Sequence, residues 1–427
     1  MAHGNETAFE SMGSPRNRFP VYGLIILVVL VAQWSVGKVA GLDIDETIAL
    51  TDLQAEWKYQ LGWYGPPSCA WEGLTCDSNG HLLTMYLPFS QLTGTIPDSF
   101  GNLVYLSWVN LQGNSLTGTI PSSFERLSRL NRILFSSNHF SGSIPASLGQ
   151  LSNLTVLTLD SNRLTGSVPS SFSQLWSLRT LSLDQNSLSG PLPDDLFAST
   201  AILSFSIDSN SISGTIPSSL FTSTSIQSVS IANNRLSGTI PELFNNTCSL
   251  TQISLSSNQL SGPLPGSLSQ CSQLQSLSLD GNQLSGTIPD QLGTIFTLAY
   301  ISISDNHFEG QIPVTVLELP LLQSFYANSN SFNQPLPDFL FQPTSPLSNL
   351  ILSNNLINGT IPASICTPLL RTAYIDLSFN SFSGQIPACI CDLYQPFGGV
   401  CPVNGPLTSY SCPLPVCCNG IVKCVAA

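Results

Sequence analysis

Positive charge is scarce in this sequence. Its 12 lysine and arginine residues are outnumbered by 25 aspartate and glutamate residues, which gives a formal net charge of −13. Lysine occurs only at Lys38, Lys58 and Lys423. Nucleic acids and anionic membrane surfaces are bound through clustered basic residues, so this composition argues against both as partners and stays compatible with a cationic one.

Catalytic patterns are also lacking. The four histidines, His3, His81, His139 and His307, share no motif with a nucleophile. No glycine-rich phosphate loop follows a strand and opens a helix, since the many glycines belong to a repeat described below. We therefore expect a protein that is not an enzyme and that carries no cofactor and no metal.

Only one long apolar run is present, at residues 19–32, directly after Arg16 and Arg18. It is shorter than the roughly 20 residues that span a bilayer comfortably, and its basic flank is typical of an export signal. We interpret residues 1–40 as a polar segment with a signal peptide, or alternatively a signal anchor. The rest of the chain is then expected to be secreted, or held at the cell surface by that anchor.

The dominant feature is a repeat, LQSLSLDGNQLSGTIP at residues 274–289. Its period of 24 or 25 residues and its L-x-x-L-x-L-x-x-N-x-L pattern are those of a leucine-rich repeat. Ser90 takes the asparagine position of an atypical first repeat, so residues 81–387 hold thirteen repeats. The other twelve have Asn114, Asn138, Asn162, Asn186, Asn210, Asn234, Asn258, Asn282, Asn306, Asn330, Asn355 and Asn380 at this position.

Each repeat predicts one coil of a solenoid. Leu277 and Leu279 alternate with polar residues, as in a short strand with one buried face. The following asparagine is expected to turn inward and satisfy backbone groups of neighbouring coils, while Gly286 permits a bend. The predicted fold is an α/β solenoid, a right-handed superhelix with a parallel sheet on its concave face and disulfide-stapled caps at both ends.

Both ends of the array resemble caps. Residues 41–80 contain a predicted helix at 45–61 that would cover the first coil, followed by Cys69 and Cys76, which can close a loop around Trp71. Residues 388–427 form a cysteine-rich tail, for which disulfides are favoured over a metal site because no histidine accompanies the cysteines.

Two further cysteine pairs lie about one coil apart. Cys248 and Cys271 are 23 residues apart and form either a disulfide or two buried thiols. Cys366 and Cys391 stand in a corresponding relation near the end of the repeats, so an analogous bridge is predicted there.

LTGTIP or LSGTIP repeats, together with C-x-W-x-G-x-x-C at Cys69–Cys76, resemble the plant-type extracellular leucine-rich repeat family. That family includes receptor-like kinases, receptor-like proteins and polygalacturonase-inhibiting proteins. The resemblance implies a concave face that binds peptides, steroids or proteins, and a second small sheet at the G-x-I-P segment. Two departures limit it: no kinase-like segment follows the repeats, and thirteen repeats exceed the usual number in the inhibitors.

Outward strand positions, which lie six, four and two residues before each asparagine, should form three columns on the concave face. One column contains Asp160, Asp184 and Asp208 in successive coils, and Asp280 three coils later. Adjacent carboxylates repel one another, so they are either fully solvated or used to contact a cationic partner or a calcium ion.

Aromatic residues occupy outward positions near both ends. Exposed tyrosine, tryptophan and arginine are enriched where protein interfaces derive their binding energy, although single exposed aromatics are also ordinary surface. The predicted function is recognition of a protein or peptide partner in signalling, defence or the cell wall. The residues are Tyr86, Trp108 and Arg132 near the start, and Tyr300, Tyr326 and Tyr374 near the end.

Two alternatives stay open at this stage. One is an enzyme inhibitor of the polygalacturonase-inhibitor type, and the other is a structural solenoid that binds polysaccharide or ice through rows of hydroxyl groups. Asn153, Asn245 and Asn358 each begin an N-x-T sequon and are predicted to carry glycans in an exported chain.

Overall fold

The computed structural model describes residues 42–198, 201–337, 346–366 and 374–387, and the backbone of residues 409–411 and 424–425. The predicted signal segment, the predicted Cys366–Cys391 bridge and most of the cysteine-rich tail lie outside the described residues.

One long sheet of fourteen strands runs through the molecule. Its first strand is antiparallel to the second, and the remaining thirteen are parallel, which confirms thirteen repeats. The strands are β1 (Leu74–Cys76), β2 (Leu82–Tyr86), β3 (Trp108–Asn110), β4 (Arg132–Leu134), β5 (Val156–Thr158), β6 (Thr180–Ser182), β7 (Ser204–Ser206), β8 (Ser228–Ser230), β9 (Gln252–Ser254), β10 (Ser276–Ser278), β11 (Tyr300–Ser302), β12 (Ser324–Tyr326), β13 (Asn349–Ile351) and β14 (Tyr374–Asp376).

Register in this sheet follows the repeat period. Leu277 on β10 pairs with Ile301 on β11, and Ser276 pairs with Tyr300, both 24 residues away. Leu277 and Leu279 are at most 1% exposed, whereas Ser276 is half-buried. Residues in equivalent positions therefore form columns across the outer face of the sheet, which we call the strand face.

Buried asparagines hold neighbouring coils together. The Nδ2 of Asn282 donates to Leu255 O in the preceding coil and to Leu279 O in its own coil, both at 3.0 Å. Its Oδ1 accepts a hydrogen bond from Leu260 N at 3.0 Å. The preceding residue, Gly281, has φ of 68°, which turns the asparagine inward. The predicted asparagine ladder is thus confirmed.

A second parallel sheet covers another side of the coils. Its glycines adopt positive φ, as at Gly286 with 76°, where a side chain would be strained. Its nine strands are Ser141–Ser143, Arg163–Gly166, Ser187–Gly190, Ser211–Gly214, Arg235–Gly238, Gln259–Gly262, Gln283–Gly286, His307–Gly310 and Ser331–Phe332. Thr93–Gly94 and Ser115–Leu116 pair separately before it. Ser383–Gly384, Ser409–Ser411 and Cys424–Val425 form a three-stranded sheet beyond it.

Short helices complete the coils after the G-x-I-P segment. Prolines such as Pro289 precede them, since proline at this position needs no hydrogen-bond acceptor. Two are α-helical, Ser218–Thr222 and Val314–Leu317. The others are 3-10 helices at Asp98–Asn102, Ser122–Arg126, Ala146–Gln150, Ser170–Gln174, Gly266–Gln270, Asp290–Thr294 and Ala363–Cys366.

Helix α1 (Ile44–Leu61) covers the first coil, as the sequence predicts. Asp43 starts it by accepting a hydrogen bond from Glu46 N at 2.8 Å. Trp57 is fully buried, and its Nε1 donates to Thr95 O at 3.2 Å. Strand β1 then pairs with β2, so the first edge of the parallel strands is not open to another chain.

Two disulfides are present among the described residues. Cys69–Cys76 closes the predicted loop, and Trp71 beside it stacks on Trp63 with ring centroids 4.7 Å apart. Cys248–Cys271 joins two adjacent coils, with Cα atoms 4.9 Å apart. The choice between a bridge and two buried thiols is therefore decided in favour of the bridge.

Candidate functional site

Three predicted binding residues meet at the start of the strand face. Trp108 on β3 pairs in register with Arg132 on β4, and Tyr86 lies on β2. The Tyr86 and Trp108 rings are tilted by 59° with centroids 5.3 Å apart. The Arg132 Cζ lies 5.9 Å from the centre of the Trp108 ring, within the range of a cation–π contact. We call Tyr86, Trp108 and Arg132 the aromatic–arginine cluster.

The surroundings of this cluster are apolar on one side. Leu134 and Val156 occupy outward strand positions beside Arg132 and are half-buried. The Nε1 of Trp108 is buried and has no hydrogen-bond acceptor among the described residues. An unpaired buried donor is unfavourable by about 1–3 kcal/mol, so such a group in a native structure is expected to have a reason for its position.

A second stack borders the cluster, built from His81, Tyr105 and Arg129, which lie 24 residues apart. The His81 and Tyr105 rings are nearly parallel with centroids 3.7 Å apart. The Arg129 Cζ lies 4.6 Å from the centre of the Tyr105 ring. We call these residues the edge stack. Sequence reasoning missed it because only the positions six, four and two before the asparagine were considered, whereas these lie nine before it.

The carboxylates of the acidic column are not fully solvated. The column consists of Asp160, Asp184 and Asp208, which are all half-buried. Ser136 Oγ donates to Asp160 at 2.5 Å, and Asp208 N donates to Asp184 at 2.6 Å. Hydroxyl groups of Ser182, Ser206 and Ser230 donate to carboxylates of this column. Serines on the strand face therefore hold the aspartates of the preceding coil, a role that their plain appearance in the sequence does not reveal.

Asp208 is the last of the three consecutive aspartates of the column. Burial raises the pKa of Asp208, and the nearby Asp184 carboxylate adds to this. Hydrogen bonds from Ser230 and from Ala232 N partly oppose the rise. The structure thus keeps a partly desolvated negative charge at the middle of the strand face.

At the far end, two of the three predicted tyrosines meet. The rings of Tyr300 on β11 and Tyr326 on β12 are tilted by 49° with centroids 5.6 Å apart. Burial raises the pKa of Tyr300, and Asp280 in the neighbouring coil adds to the shift. Tyr374 lies on β14, two strands beyond Tyr326. Strands β5 to β10 separate the two aromatic ends, so they are distinct surfaces.

All three predicted glycosylation sites have exposed side chains. The Nδ2 of Asn153 donates to Ser128 O, and the Nδ2 of Asn358 donates to Asn333 O. Asn245 Oδ1 accepts from Thr247 N at 2.9 Å. Asn153 lies one repeat after Arg129, so a glycan there would border the edge stack.

Asp43, Glu46 and His81 are the only three potential metal ligands that converge within the described residues. Glu46 is fully buried, accepts a hydrogen bond from Leu82 N at 2.9 Å, and lies 3.2 Å from His81 Nδ1. These contacts attach helix α1 to β2, which is a structural role. In the described part of the chain no helix is long and apolar enough to cross a membrane.

Two family models, both of leucine-rich repeats, match the chain. One matches residues 142–188 and 224–284, and the other matches residues 105–127 and 372–393. The described residues of these segments share the asparagine ladder and strand register of the rest of the array.

Known plant proteins also resemble the chain, in sequence or in structure. A receptor protein kinase of Oryza sativa subsp. japonica, WSS1, is 34% identical over 106 residues, which is 24% of this chain and 11% of the kinase. The plant peptide hormone receptor RGFR1 in complex with RGF2 is 29% identical, with a TM-score of 0.73 over 84% of this chain and 60% of the receptor. A plant ice-binding protein is 28% identical, with a TM-score of 0.54 over 64% of this chain and 89% of that protein.

The chain spans about a tenth of the kinase and less than two thirds of the receptor. Thirteen parallel strands, the repeated asparagine ladder, the second sheet at the G-x-I-P segment and these matches lead to one conclusion. The chain folds as a leucine-rich repeat solenoid and is similar in fold and repeat pattern to plant leucine-rich repeat proteins.

Proposed function

We propose that this chain is an extracellular binding protein that holds a peptide, or a peptide-like segment of a protein partner, on its strand face. The observation that carries the proposal is the aromatic–arginine cluster. Tyr86 is 49% exposed, and Arg132 is also exposed, at positions that the middle repeats fill with serine or glutamine. Rings and guanidinium groups held in this way supply contact area at low cost in side-chain entropy.

The size of the face suits a short extended segment. Strands lie about 4.8 Å apart, so the four spacings from β3 to β7 cover about 19 Å. An extended peptide advances about 3.3 Å per residue, so roughly six residues would reach from Trp108 to the acidic column. On this proposal Asp160, Asp184 and Asp208 contact a basic group of the ligand, and the Tyr300–Tyr326 pair, with Asp280 and Tyr374, is a separate contact region.

Peptide recognition is also supported by similarity. RGFR1, a peptide hormone receptor whose structure contains RGF2, matches more of this chain and with a higher TM-score than the ice-binding protein does. A regular hydroxyl lattice is less favoured, because the row of threonine and serine residues at the second position of the G-x-I-P segment is interrupted by Pro191, Pro263, Gln311, Pro335 and Gln385. Inhibition of a polygalacturonase would be a special case of protein binding on the same face.

The extracellular setting rests on three features. Residues 19–32 resemble an export signal, two disulfides stabilise the described part of the chain, and three sequons have exposed asparagines. Disulfides persist in oxidising compartments, and N-glycans are added during export. Secretion to the apoplast or retention at the cell surface both agree with the proposal.

Replacement of Trp108 by alanine tests the proposal. The full chain, its Trp108→Ala variant and a Trp176→Ala control are immobilised, and retention of peptides and proteins from a plant extracellular extract is compared. Trp176 is a matched control because it is 65% exposed and lies outside the strand positions. We expect Trp108→Ala to lower specific retention at least tenfold and Trp176→Ala to leave it unchanged. Equal retention by all three proteins would remove the proposal.

A further inference from the structure

Arginines are concentrated in one short segment. The described repeat region contains Arg126, Arg129 and Arg132 within seven consecutive residues, whereas Arg163, Arg179 and Arg235 are each isolated along the chain. A chain with a formal net charge of −13 therefore collects half of these arginines next to the aromatic–arginine cluster. Because like charges repel, such a concentration is expected to have a use.

Two of the three are positioned by aromatic rings. Arg129 lies over Tyr105 and Arg132 lies over Trp108, each contacting the preceding coil. The Tyr105 ring is itself held by stacking against the His81 ring, which belongs to the coil before it. A guanidinium group held against a ring face keeps its in-plane N–H donors available for a carboxylate or another oxyanion.

Neither arginine is neutralised by a neighbouring acid. In the described part of the chain, the one ion pair is between His81 and Glu46. The third arginine, Arg126, donates to Asn102 Oδ1 at 3.3 Å and so is used in a contact between coils. The nearest aspartate of the acidic column, Asp160, accepts hydrogen bonds from Ser136 and Ser182 instead. Arg129 and Arg132 thus present two exposed, oriented and uncompensated positive charges.

We infer that Arg129 and Arg132 together form a clasp for acidic side chains of the peptide that binds the aromatic–arginine cluster. The inference deepens the proposed function and depends on it. Arg132 is the third residue after Arg129, so their backbones are at most about 10 Å apart, a span that two nearby aspartate or glutamate side chains can match. The planar guanidinium fork pairs with carboxylates in bidentate geometry.

A peptide is favoured over an acidic polysaccharide by the surface beside the clasp. Tyr86, Leu134 and Val156 offer apolar area there, half-buried or exposed. A polymer with a carboxylate on every sugar would place charge against this apolar area, whereas a peptide can alternate acidic and apolar side chains. The ligand class is therefore an acidic, partly apolar peptide segment.

The clasp is tested on the full chain with an array of nine-residue synthetic peptides. Every peptide is amidated at its C-terminus and made in matched pairs, one member with two aspartate or glutamate residues and the other with asparagine or glutamine. Binding is measured for the unchanged chain, the Arg129→Gln/Arg132→Gln double variant and an Arg163→Gln/Arg235→Gln control on the second sheet. We expect at least a tenfold preference for acidic members, which the double variant loses and the control keeps.

Three outcomes would overturn the inference. The first is equal binding of acidic and amide members, and the second is an unchanged preference in the double variant. The third is tighter, clasp-dependent binding of oligogalacturonate, or of the same peptides only when their C-termini are free. The Trp108→Ala variant distinguishes failure of the clasp from failure of the proposed function. If Trp108→Ala abolishes binding of both members of a pair while the double variant has no effect, the proposed function stands and the clasp does not. If no peptide binding depends on Trp108, both fail.

Discussion

The beginning and the middle of the strand face have the same backbone and different surfaces. Strands β2 to β4 carry Tyr86, Trp108 and Arg132, whereas β8 to β10 carry mostly serine and glutamine at equivalent positions. Both regions share the asparagine ladder and the same residue-for-residue register. Comparison of the two therefore separates what builds the solenoid from what a partner can recognise.

Removal of a ladder asparagine should destabilise the solenoid equally in both regions. This loss of stability is the largest effect that we expect. Asn138→Ala and Asn282→Ala each remove hydrogen bonds to three carbonyl groups and one backbone N–H. Unpaired buried polar groups are costly, so each variant should lower the free energy of unfolding by about 3 kcal/mol or more. Guanidinium titration followed by circular dichroism measures it. A loss below about 1 kcal/mol at either position would contradict the ladder's role.

Exchange of surface residues should affect only the first region. Trp108→Ser makes β3 resemble β10, and we expect it to weaken partner binding at least tenfold with little change in the unfolding midpoint. The reciprocal Ser276→Trp should gain no binding, because Ser276 pairs with Gln252 on β9 and with Tyr300 on β11, so no arginine lies beside it on a neighbouring strand. Titration calorimetry with a captured partner measures both. A gain of binding by Ser276→Trp would mean that a lone tryptophan suffices.

Asp208 should oppose stability at neutral pH. Its pKa is raised in the folded state, mainly by burial, so the folded chain binds the proton more tightly than the unfolded chain does. Stability therefore increases as pH falls through the folded-state pKa. Asp208→Asn should raise the stability at neutral pH by about 0.5 kcal/mol, the scale of one optimised surface charge, and this advantage should disappear in acid. Thermal unfolding at several pH values tests this, and a variant that is less stable at neutral pH would contradict it.

The Glu242 carboxylate should increase stability at neutral pH, which is the opposite of the effect expected for Asp208. Its effect should be the smallest of those predicted. Its carboxylate accepts hydrogen bonds from Gly266 N at 2.7 Å and Ser267 N at 2.8 Å in the next coil, which lower its pKa. Its contribution to stability is therefore present above the unfolded-state pKa and is lost as pH falls through the folded-state pKa. Because the group is exposed, Glu242→Gln should cost only a few tenths of a kcal/mol at neutral pH. Midpoints that differ in acid and agree at neutral pH would contradict this.

Much of the fold was predictable because each residue class has one role per coil. Leucines at fixed positions, the inward asparagine and Gly286 predict the coil, and thirteen such units predict the sheet. Helix α1 could be predicted from the spacing of Leu50, Leu53 and Trp57, all fully buried. The predicted concave-face columns are present, since a 24-residue period places equivalent residues on neighbouring strands.

The candidate site was predicted less completely. Tyr86, Trp108 and Arg132 were identified as outward residues, but the edge stack with Arg129 and the use of serines to hold aspartates were not. The reason is geometric. Column membership depends only on the repeat period, whereas contact across a column depends on side-chain length and rotamer, which can bring Ser206 of one coil to Asp184 of the preceding coil.

By itself, the sequence determined the solenoid, its thirteen coils, its buried ladder and its charge, because each follows from a periodic pattern or a count. Tertiary structure decided that Cys248 and Cys271 form a bridge, that Tyr300 meets Tyr326 but lies apart from Tyr374, and that Arg129 and Arg132 are held on rings. Those features require side chains of different coils to approach within a few ångströms. Periodicity brings residues to neighbouring coils, and packing alone selects which of them touch.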